Sequence, residues 1–187
     1  DGEYPVDYEA FAANPTGFTV VACNAEDGST KYFDKSDVSY DNFDIMKASS
    51  AVPVACEPYV IDGVPYYDGG IADPIPGQKA LDDGYDHVGG ILTRLKDVLR
   101  AQEKDIGPAT TLQRTHPGGA ERLLNRCQTY NDEVALAKEV EQDGRVLILA
   151  PESLYGLNTL SKSYEGLERM YRAGYAAAEA IPAFLNS

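Results

Sequence analysis

The chain has 187 residues, a length typical of one ordinary domain with a real hydrophobic core. Thirty acidic residues against sixteen basic ones give a formal net charge of −14. Because sequence-independent binding to nucleic acid depends on lysine and arginine neutralising phosphates, this balance argues against a nucleic-acid partner. It also disfavours electrostatic capture by an anionic membrane, and no apolar run is long enough for stable insertion into a bilayer.

Three cysteines, Cys23, Cys56 and Cys127, lie far apart in the sequence. Their spacing matches neither a zinc knuckle nor a redox motif. Cys23 is predicted to be a small core residue of a strand, since free cysteine is commonly buried. An odd number of widely spaced cysteines and no visible signal peptide fit a reducing, cytoplasmic setting.

Two hairpins are predicted in the first part of the chain. The β-branched run "GFTVVACNA" (17–25) predicts a strand, and "TKYFD" (30–34) is its expected antiparallel partner. In "YVIDGVPYY" (59–67), Asp62 and Gly63 separate two apolar runs. That arrangement is typical of a hairpin closed by a type I′ turn.

Two short helices are predicted beside these strands. The segment "SYDNFDIMKASSA" (39–51) has apolar residues at helical spacing after Asp41, a candidate cap. The segment "DPIPGQKALDDG" (73–84) predicts a helix with Asp73 as its cap and Pro74 at the first helical position.

The second half alternates apolar runs with helical patterns. The runs 87–94 and 145–152 are typical of strands covered on both faces, and between them a polar helical region, 97–142, is broken by "GPATT" and "HPGG". Segment 163–185 predicts an amphipathic helix that packs one stripe back on the fold. The stripe consists of Leu167, Met170, Tyr171, Gly174, Ala178, Ile181 and Leu185.

Strands that alternate with helices predict an α/β fold with helices on both faces of a sheet. The sequence contains neither a Gly-x-Gly-x-x-Gly pattern nor a P-loop lysine pattern, so a nucleotide site lacks its main support.

The motif "YYDGG" places Asp68 at the end of a predicted strand, before Gly69 and Gly70. One interpretation is a tight turn, because aspartate and glycine both favour turns. Another is a general base, because a carboxylate held by a sheet, with glycines that admit close approach, suits proton abstraction. Apolar and aromatic neighbours would desolvate the carboxylate and raise its basicity. These neighbours are Ile61, Val64, Tyr66, Tyr67 and Ile71.

A longer stretch, "ASSAVPVACEPYVIDGVPYYDGGIADPIP" (48–76), resembles the distal signature of the patatin-like phospholipase family. The resemblance extends to the strand and hairpin at 18–33, to the strand at 84–94, and to the closing strand and final helix at 147–178. It implies a three-layer α/β/α fold over residues 1–187 as a single domain. It also implies a serine acyl hydrolase whose Ser–Asp dyad acts on esters, most often lipid acyl chains, without a cofactor or metal.

Carried over by position, the resemblance makes Asp68 the catalytic base, with Gly69 and Gly70 completing its motif. The family's serine lies in a Gly-x-Ser-x-Gly elbow, near glycine-rich backbone amides that form the oxyanion hole. These 187 residues contain no Gly-x-Ser-x-Gly. Either the chain is the carboxy-terminal portion of a longer protein, which its abrupt start favours, or the nucleophile has been lost.

Serines within the chain are weaker candidates for the nucleophile. Ser50 follows a helical pattern, whereas an elbow needs a preceding strand, so it does not suit the role of nucleophile. Ser49, Ser50 and Pro53 are instead expected at the rim of the pocket. Ser153 has no better context, because Pro151 and Tyr155 stand two residues to either side, where the elbow motif has glycine.

Histidine could in principle complete a triad with Asp68. His87 opens an apolar strand and is expected to be structural, whereas His116, in "RTHPGG", has only the chain order of some hydrolases in its favour.

The other carboxylates have simpler interpretations. Asp62 belongs to a turn, and Asp82, Asp83 and Asp86 form a solvated corner that falls short of a calcium loop.

Two hypotheses remain at this point. The protein is an ester hydrolase whose serine comes from polypeptide outside this sequence, or it is a patatin-like scaffold without a nucleophile that binds acyl ligands or a protein partner. The sequence leaves the oligomeric state and the natural ester open.

Overall fold

The computed structural model describes residues 5–158 and 161–186. They form two compact units. The first unit comprises the chain up to Pro74 together with Ala101–Thr129, and the second comprises Ile75–Arg100 and the chain from Tyr130 onwards. The expectation of a single domain over residues 1–187 stays a prediction.

Helices and strands alternate over the described residues, which confirms the α/β class at this coarse level. The strands are β1 (Thr19–Asn24), β2 (Thr30–Asp34), β3 (Tyr59–Ile61), β4 (Val64–Asp68), β5 (Val88–Ile91) and β6 (Val146–Leu149). The helices are α1 (Tyr8–Ala13), α2 (Asp44–Ser49), α3 (Gly77–Asp82), α4 (Glu103–Leu112), α5 (Pro117–Gln142), α6 (Tyr164–Ala177) and α7 (Ile181–Leu185). Three-residue 3₁₀ turns lie at Lys35–Asp37, Gly69–Ile71 and Ala178–Ala180.

The first unit is built on a four-stranded antiparallel sheet in the order β2-β1-β4-β3. Both predicted hairpins are present. Asp62 and Gly63 connect β3 and β4 with φ values of 50° and 82°, the left-handed conformations that a type I′ turn requires. The second hairpin therefore delivers β4 against the central strand β1.

Both faces of this antiparallel sheet carry helices, because adjacent residues of a strand point to opposite sides. On one face, Tyr66 packs in a cluster with Ile45 of α2, and partly buried residues of α1 join it. On the other face, Tyr67 packs in a cluster with Leu112 of α4 and Leu123 of α5. The sheet is thus buried from both sides within this unit, although its strands are antiparallel.

The two predicted short helices are present but shorter than expected. Helix α2 is preceded by Asn42, whose side chain accepts a hydrogen bond from the Asp44 amide at 3.0 Å. Asp41 is therefore not the cap; it lies in the preceding turn with a φ of 59°. The prediction that Asp73 caps the next helix is also wrong, because α3 begins only at Gly77 and Asp73 instead accepts a hydrogen bond from the hydroxyl of Tyr32.

The second unit has a two-stranded parallel sheet of β5 and β6. Its buried cluster combines Val146 and Ile148 of β6 with Tyr130 and Val134 of α5. The prediction that both strands are covered on both faces is wrong for β5, because the Ile91 side chain is 77% exposed.

The polar region 97–142 forms α4 and the 26-residue helix α5. The prediction of a break at "GPATT" is wrong: α4 continues through Gly107 and Pro108. Packing of Ala109 and Leu112 in the core of the first unit outweighs the poor helix propensity of the preceding glycine and proline. The boundary expected at "HPGG" is confirmed, since α5 begins at Pro117.

The tail forms α6, a 3₁₀ turn and α7 in place of one helix over 163–185. Ser163 caps α6 by accepting the Gly166 amide at 3.2 Å. The predicted apolar stripe does not pack as a whole, because Leu167, Tyr171 and Leu185 are each more than half exposed. Among the described residues, no helix is both long and apolar enough to cross a membrane.

Cys23 is fully buried in β1, which confirms its predicted core position. Burial raises the pKa of the Cys23 thiol from 9.0 to about 12, although the positive charge of Arg122 opposes the shift. Cys56 is exposed. The two thiols therefore differ sharply in access, and the raised pKa of Cys23 lowers its fraction of reactive thiolate.

We expect a thiol-alkylating reagent to label Cys56 in the native protein while Cys23 stays unlabelled from about pH 7 to about pH 10, because alkylation needs the thiolate. Mass spectrometry of the labelled peptides measures both sites. Labelling in denaturant is the control and should modify both cysteines. Rapid labelling of Cys23 in the native protein would contradict its placement in the core.

Candidate active site

Asp68 is the last residue of β4 and pairs in register with Ala22 of the central strand β1. Its backbone N–H also donates a hydrogen bond to the carbonyl oxygen of Ala51 at 3.0 Å. The side chain is half-buried. The position of this carboxylate is therefore fixed by the sheet and by the segment that follows α2.

The Asp68 carboxylate is oriented by the turn that follows it. Its Oδ1 accepts a hydrogen bond from the Gly70 N–H at 2.7 Å, so Asp68 caps the 3₁₀ turn Gly69–Ile71. The prediction of a tight turn is confirmed. The turn that ends the strand therefore also orients the carboxylate, through a hydrogen bond of the kind that charge strengthens.

Gly69 is required by the close approach of another backbone. A Cβ at this position would lie 2.3 Å from the carbonyl oxygen of Val21 and 2.6 Å from its carbonyl carbon. A Cβ at Gly70 would meet only the Asp68 Oδ1, at 3.1 Å. The expectation that glycine admits close backbone approach in this motif is confirmed at Gly69.

The segment predicted as the rim lies beside Asp68. Ser49 ends α2, Ser50 follows as its C-terminal cap, and the next residue provides the carbonyl that binds the Asp68 amide. Pro53 is buried, whereas Ser50 is exposed. The fold thus brings this segment to the candidate base, and neither serine lies in a strand-to-helix elbow.

His116 contacts Tyr67 rather than Asp68. Its Nδ1 lies 3.3 Å from the Tyr67 hydroxyl, and the two rings meet edge to face. Burial raises the pKa of that hydroxyl, which therefore stays neutral. Because Tyr67 and Asp68 are adjacent in β4, their side chains point to opposite faces of the sheet, and the structure gives an Asp68–His116 pair no support.

The remaining candidates have local partners in the second unit. The His87 ring packs edge to face against Phe184. The Ser153 hydroxyl accepts the Tyr155 amide at 3.1 Å within a turn. Asp82 and Asp83 bind side chains of their own helix, Gln78 and Lys79. Within residues 5–158 and 161–186, no group of three or more histidine, cysteine or acidic side chains could hold a metal ion.

A cavity of about 630 Å³ lies elsewhere in the first unit. Its lining includes the aromatic side chains of Tyr8, Phe11 and Phe18 together with Lys35, and it does not include Asp68. The cavity is therefore not a pocket for the candidate base.

Sequence reasoning missed one ion pair at this site. The Nε of Arg126, in α5, donates to the carbonyl oxygen of Gly70 at 2.9 Å. The Nη1 of the same guanidinium lies 3.6 Å from Oδ1 of Asp105, a carboxylate of α4 whose residue is only 5% exposed. No local motif marks either residue, because the contact with Gly70 joins positions 56 residues apart.

Comparison with family models gives two matches. Residues 5–81 match the model described as Patatin-like phospholipase, and residues 116–185 match one described as Domain of unknown function (DUF6363). A search of the curated proteins gives no match. The segment of the chain that is similar to the patatin-like phospholipase family thus includes the whole Asp68-Gly69-Gly70 motif.

The patatin-like match ends before the segments 84–94 and 147–178. The resemblance expected for those two segments stays a prediction, and the second of them lies inside the other match.

We expect Gly69→Ala to lower the free energy of unfolding by about 1–3 kcal/mol, because overpacking against a rigid backbone forces the strands to shift. Denaturant unfolding of the purified protein measures the change. Gly77→Ala is the control, since a Cβ there meets nothing within 4 Å. Equal stability of the two variants would contradict the close approach of β1 to the turn.

Proposed function

We propose that the protein containing this chain is a serine acyl hydrolase that cleaves carboxylic esters, in particular those of lipid acyl chains, with Asp68 as general base. The observation that carries the proposal is the sheet-anchored Asp68, oriented by its own turn, inside the segment that matches the patatin-like phospholipase model. A cytoplasmic location is part of the proposal, as is a dyad that needs no cofactor.

The nucleophile in this proposal is a serine of a Gly-x-Ser-x-Gly elbow supplied by polypeptide outside the 187 residues. Asp68 takes the proton of the serine hydroxyl while the serine oxygen attacks the ester carbonyl. The Asp68 carboxyl gives this proton to the departing alcohol, and an acyl-enzyme remains. A water molecule deprotonated by the same carboxylate then attacks the acyl carbonyl, so that the acid is released and the serine oxygen recovers its proton from Asp68.

The two oxygens of Asp68 have different tasks in this scheme. Oδ1 accepts the Gly70 N–H, which fixes the plane of the carboxylate. Within the described part of the chain, the structure assigns no hydrogen bond to Oδ2, so this is the oxygen that accepts the proton. A base held at one oxygen reacts at the other without losing its orientation.

The second candidate function is a patatin-like scaffold that binds acyl ligands or a protein partner without catalysis. The observation in its favour is that no Gly-x-Ser-x-Gly occurs in the 187 residues. It differs from the first in one measurable respect: a fluorophosphonate probe, which reacts with activated serines, would not label the intact protein.

We expect Asp68→Asn in the intact protein to lower kcat for an activated ester by about 10²- to 10⁴-fold, the range that a general base contributes. Asparagine keeps the shape of the side chain and an oxygen for the Gly70 amide. Steady-state hydrolysis of a p-nitrophenyl ester and the rate of fluorophosphonate labelling measure the loss.

Asp62→Asn is the matched control, because the same chemical change at this hairpin position keeps a residue that favours the turn. The control should hydrolyse the ester like the unmodified protein. Full activity of the Asp68→Asn variant would refute the base assignment, and an unmodified intact protein without labelling or hydrolysis would favour the scaffold.

A further inference from the structure

Arg126 connects the turn after Asp68 to a buried carboxylate. Its Nε binds the Gly70 carbonyl oxygen at 2.9 Å, and its Nη1 lies 3.6 Å from Asp105. The geometry points to Arg126 as a positioning residue that holds the Gly69–Gly70 turn, and through it the Asp68 carboxylate, in the reactive orientation. This inference rests on the proposed function.

Gly70 connects Arg126 to Asp68, because it hydrogen-bonds to both residues. Its N–H donates to Asp68 Oδ1 at 2.7 Å, and its carbonyl accepts from Arg126. A glycine without other restraints moves readily between backbone conformations, because it has no Cβ. With both peptide groups of Gly70 held, rotation of this residue would break a bond on one side or the other, so the amide stays aimed at the base.

Asp105 keeps the guanidinium in place. The Asp105 side chain is buried, and a buried carboxylate is strongly disfavoured unless a positive charge lies close to it. The Arg126 side chain is partly buried, at 29% exposure, so its guanidinium is held between the acid and the turn rather than extended into solvent. The acid thus restrains the residue that restrains the turn.

A second arginine on the same helix provides a matched comparison. Arg122 lies one turn earlier in α5, and its Nε donates to the carbonyl oxygen of Gly28 at 2.6 Å. The two bonds are alike in donor, acceptor and supporting helix. Gly28, however, lies in the turn between β1 and β2, whereas Gly70 lies in the turn that orients Asp68. Loss of either bond removes a similar structural contact, and only one of them bears on the base.

The test compares Arg126→Ala with Arg122→Ala in the intact protein that supplies the serine. We expect Arg126→Ala to lower kcat for a p-nitrophenyl ester by about 10- to 100-fold with KM unchanged, because displacement of a catalytic group by about 1 Å has an effect of that size. Arg122→Ala should keep its kcat. Thermal unfolding of both variants separates a loss of stability from a loss of rate.

Chemical rescue supplies a readout that a purely structural role would not move. Guanidinium ion at millimolar concentration should restore part of the kcat of Arg126→Ala, since the vacated site lies between the Gly70 carbonyl and Asp105. Sodium chloride at the same ionic strength should not. A kcat of Arg126→Ala equal to that of Arg122→Ala would overturn the inference. Equal recovery of kcat in guanidinium and in sodium chloride would overturn it as well.

A paired variant guards against misfolding, since Arg126→Ala removes a positive charge beside the buried Asp105 carboxylate. Arg126→Gln combined with Asp105→Asn removes both charges and should show the same loss of kcat. Unchanged kcat in this folded double variant would overturn the inference.

The outcome for Asp68→Asn distinguishes the two levels of the proposal. If Asp68→Asn is inactive while the Arg126 variants keep full kcat, only the positioning role fails. If Asp68→Asn is fully active, the proposed function itself fails.

Discussion

The structure around the candidate base depends on one close backbone contact, that of Gly69 with Val21. The antiparallel pairing of β4 with the central strand β1 ends at Asp68, and the chain then turns directly against β1. Only a residue without a Cβ can follow the acid along that path. The contact therefore sets where the strand stops, where the 3₁₀ turn begins and, through the Gly70 amide, which way the carboxylate points.

The two faces of β4 carry different kinds of residue for a physical reason. Tyr67 enters the cluster beneath α4 and α5, where its ring is buried and its hydroxyl meets His116. Asp68, next in the chain, must point the other way. The buried Tyr67 side chain thus fixes the strand, and the adjacent Asp68 is held at a defined position on the opposite face. Preorganisation of this kind reduces the reorientation needed during a reaction.

Local patterns in the sequence were enough for the elements that local chemistry determines. The hairpin at Asp62 and Gly63, the buried Cys23 and the tight turn after Asp68 could all be predicted, because each follows from the conformational or burial preference of a few adjacent residues. The helix starts at Asp41 and Asp73 were wrong, since the nearby Asn42 and the distant Tyr32 provided competing partners. The bond between Arg126 and Gly70 left no local trace, as it depends on packing between segments far apart in sequence.

The first unit is assembled from two stretches of chain, with Ile75–Arg100 inserted between them. The patatin-like match, residues 5–81, therefore does not coincide with a self-contained body. A piece cut at those limits would keep the four strands and lose α4 and α5. The side of the sheet that carries Cys23, Tyr67 and Ile71 would then meet water instead of Leu112 and Leu123. The segment that matches the patatin-like model thus depends for its solubility on α4 and α5, which lie outside that match.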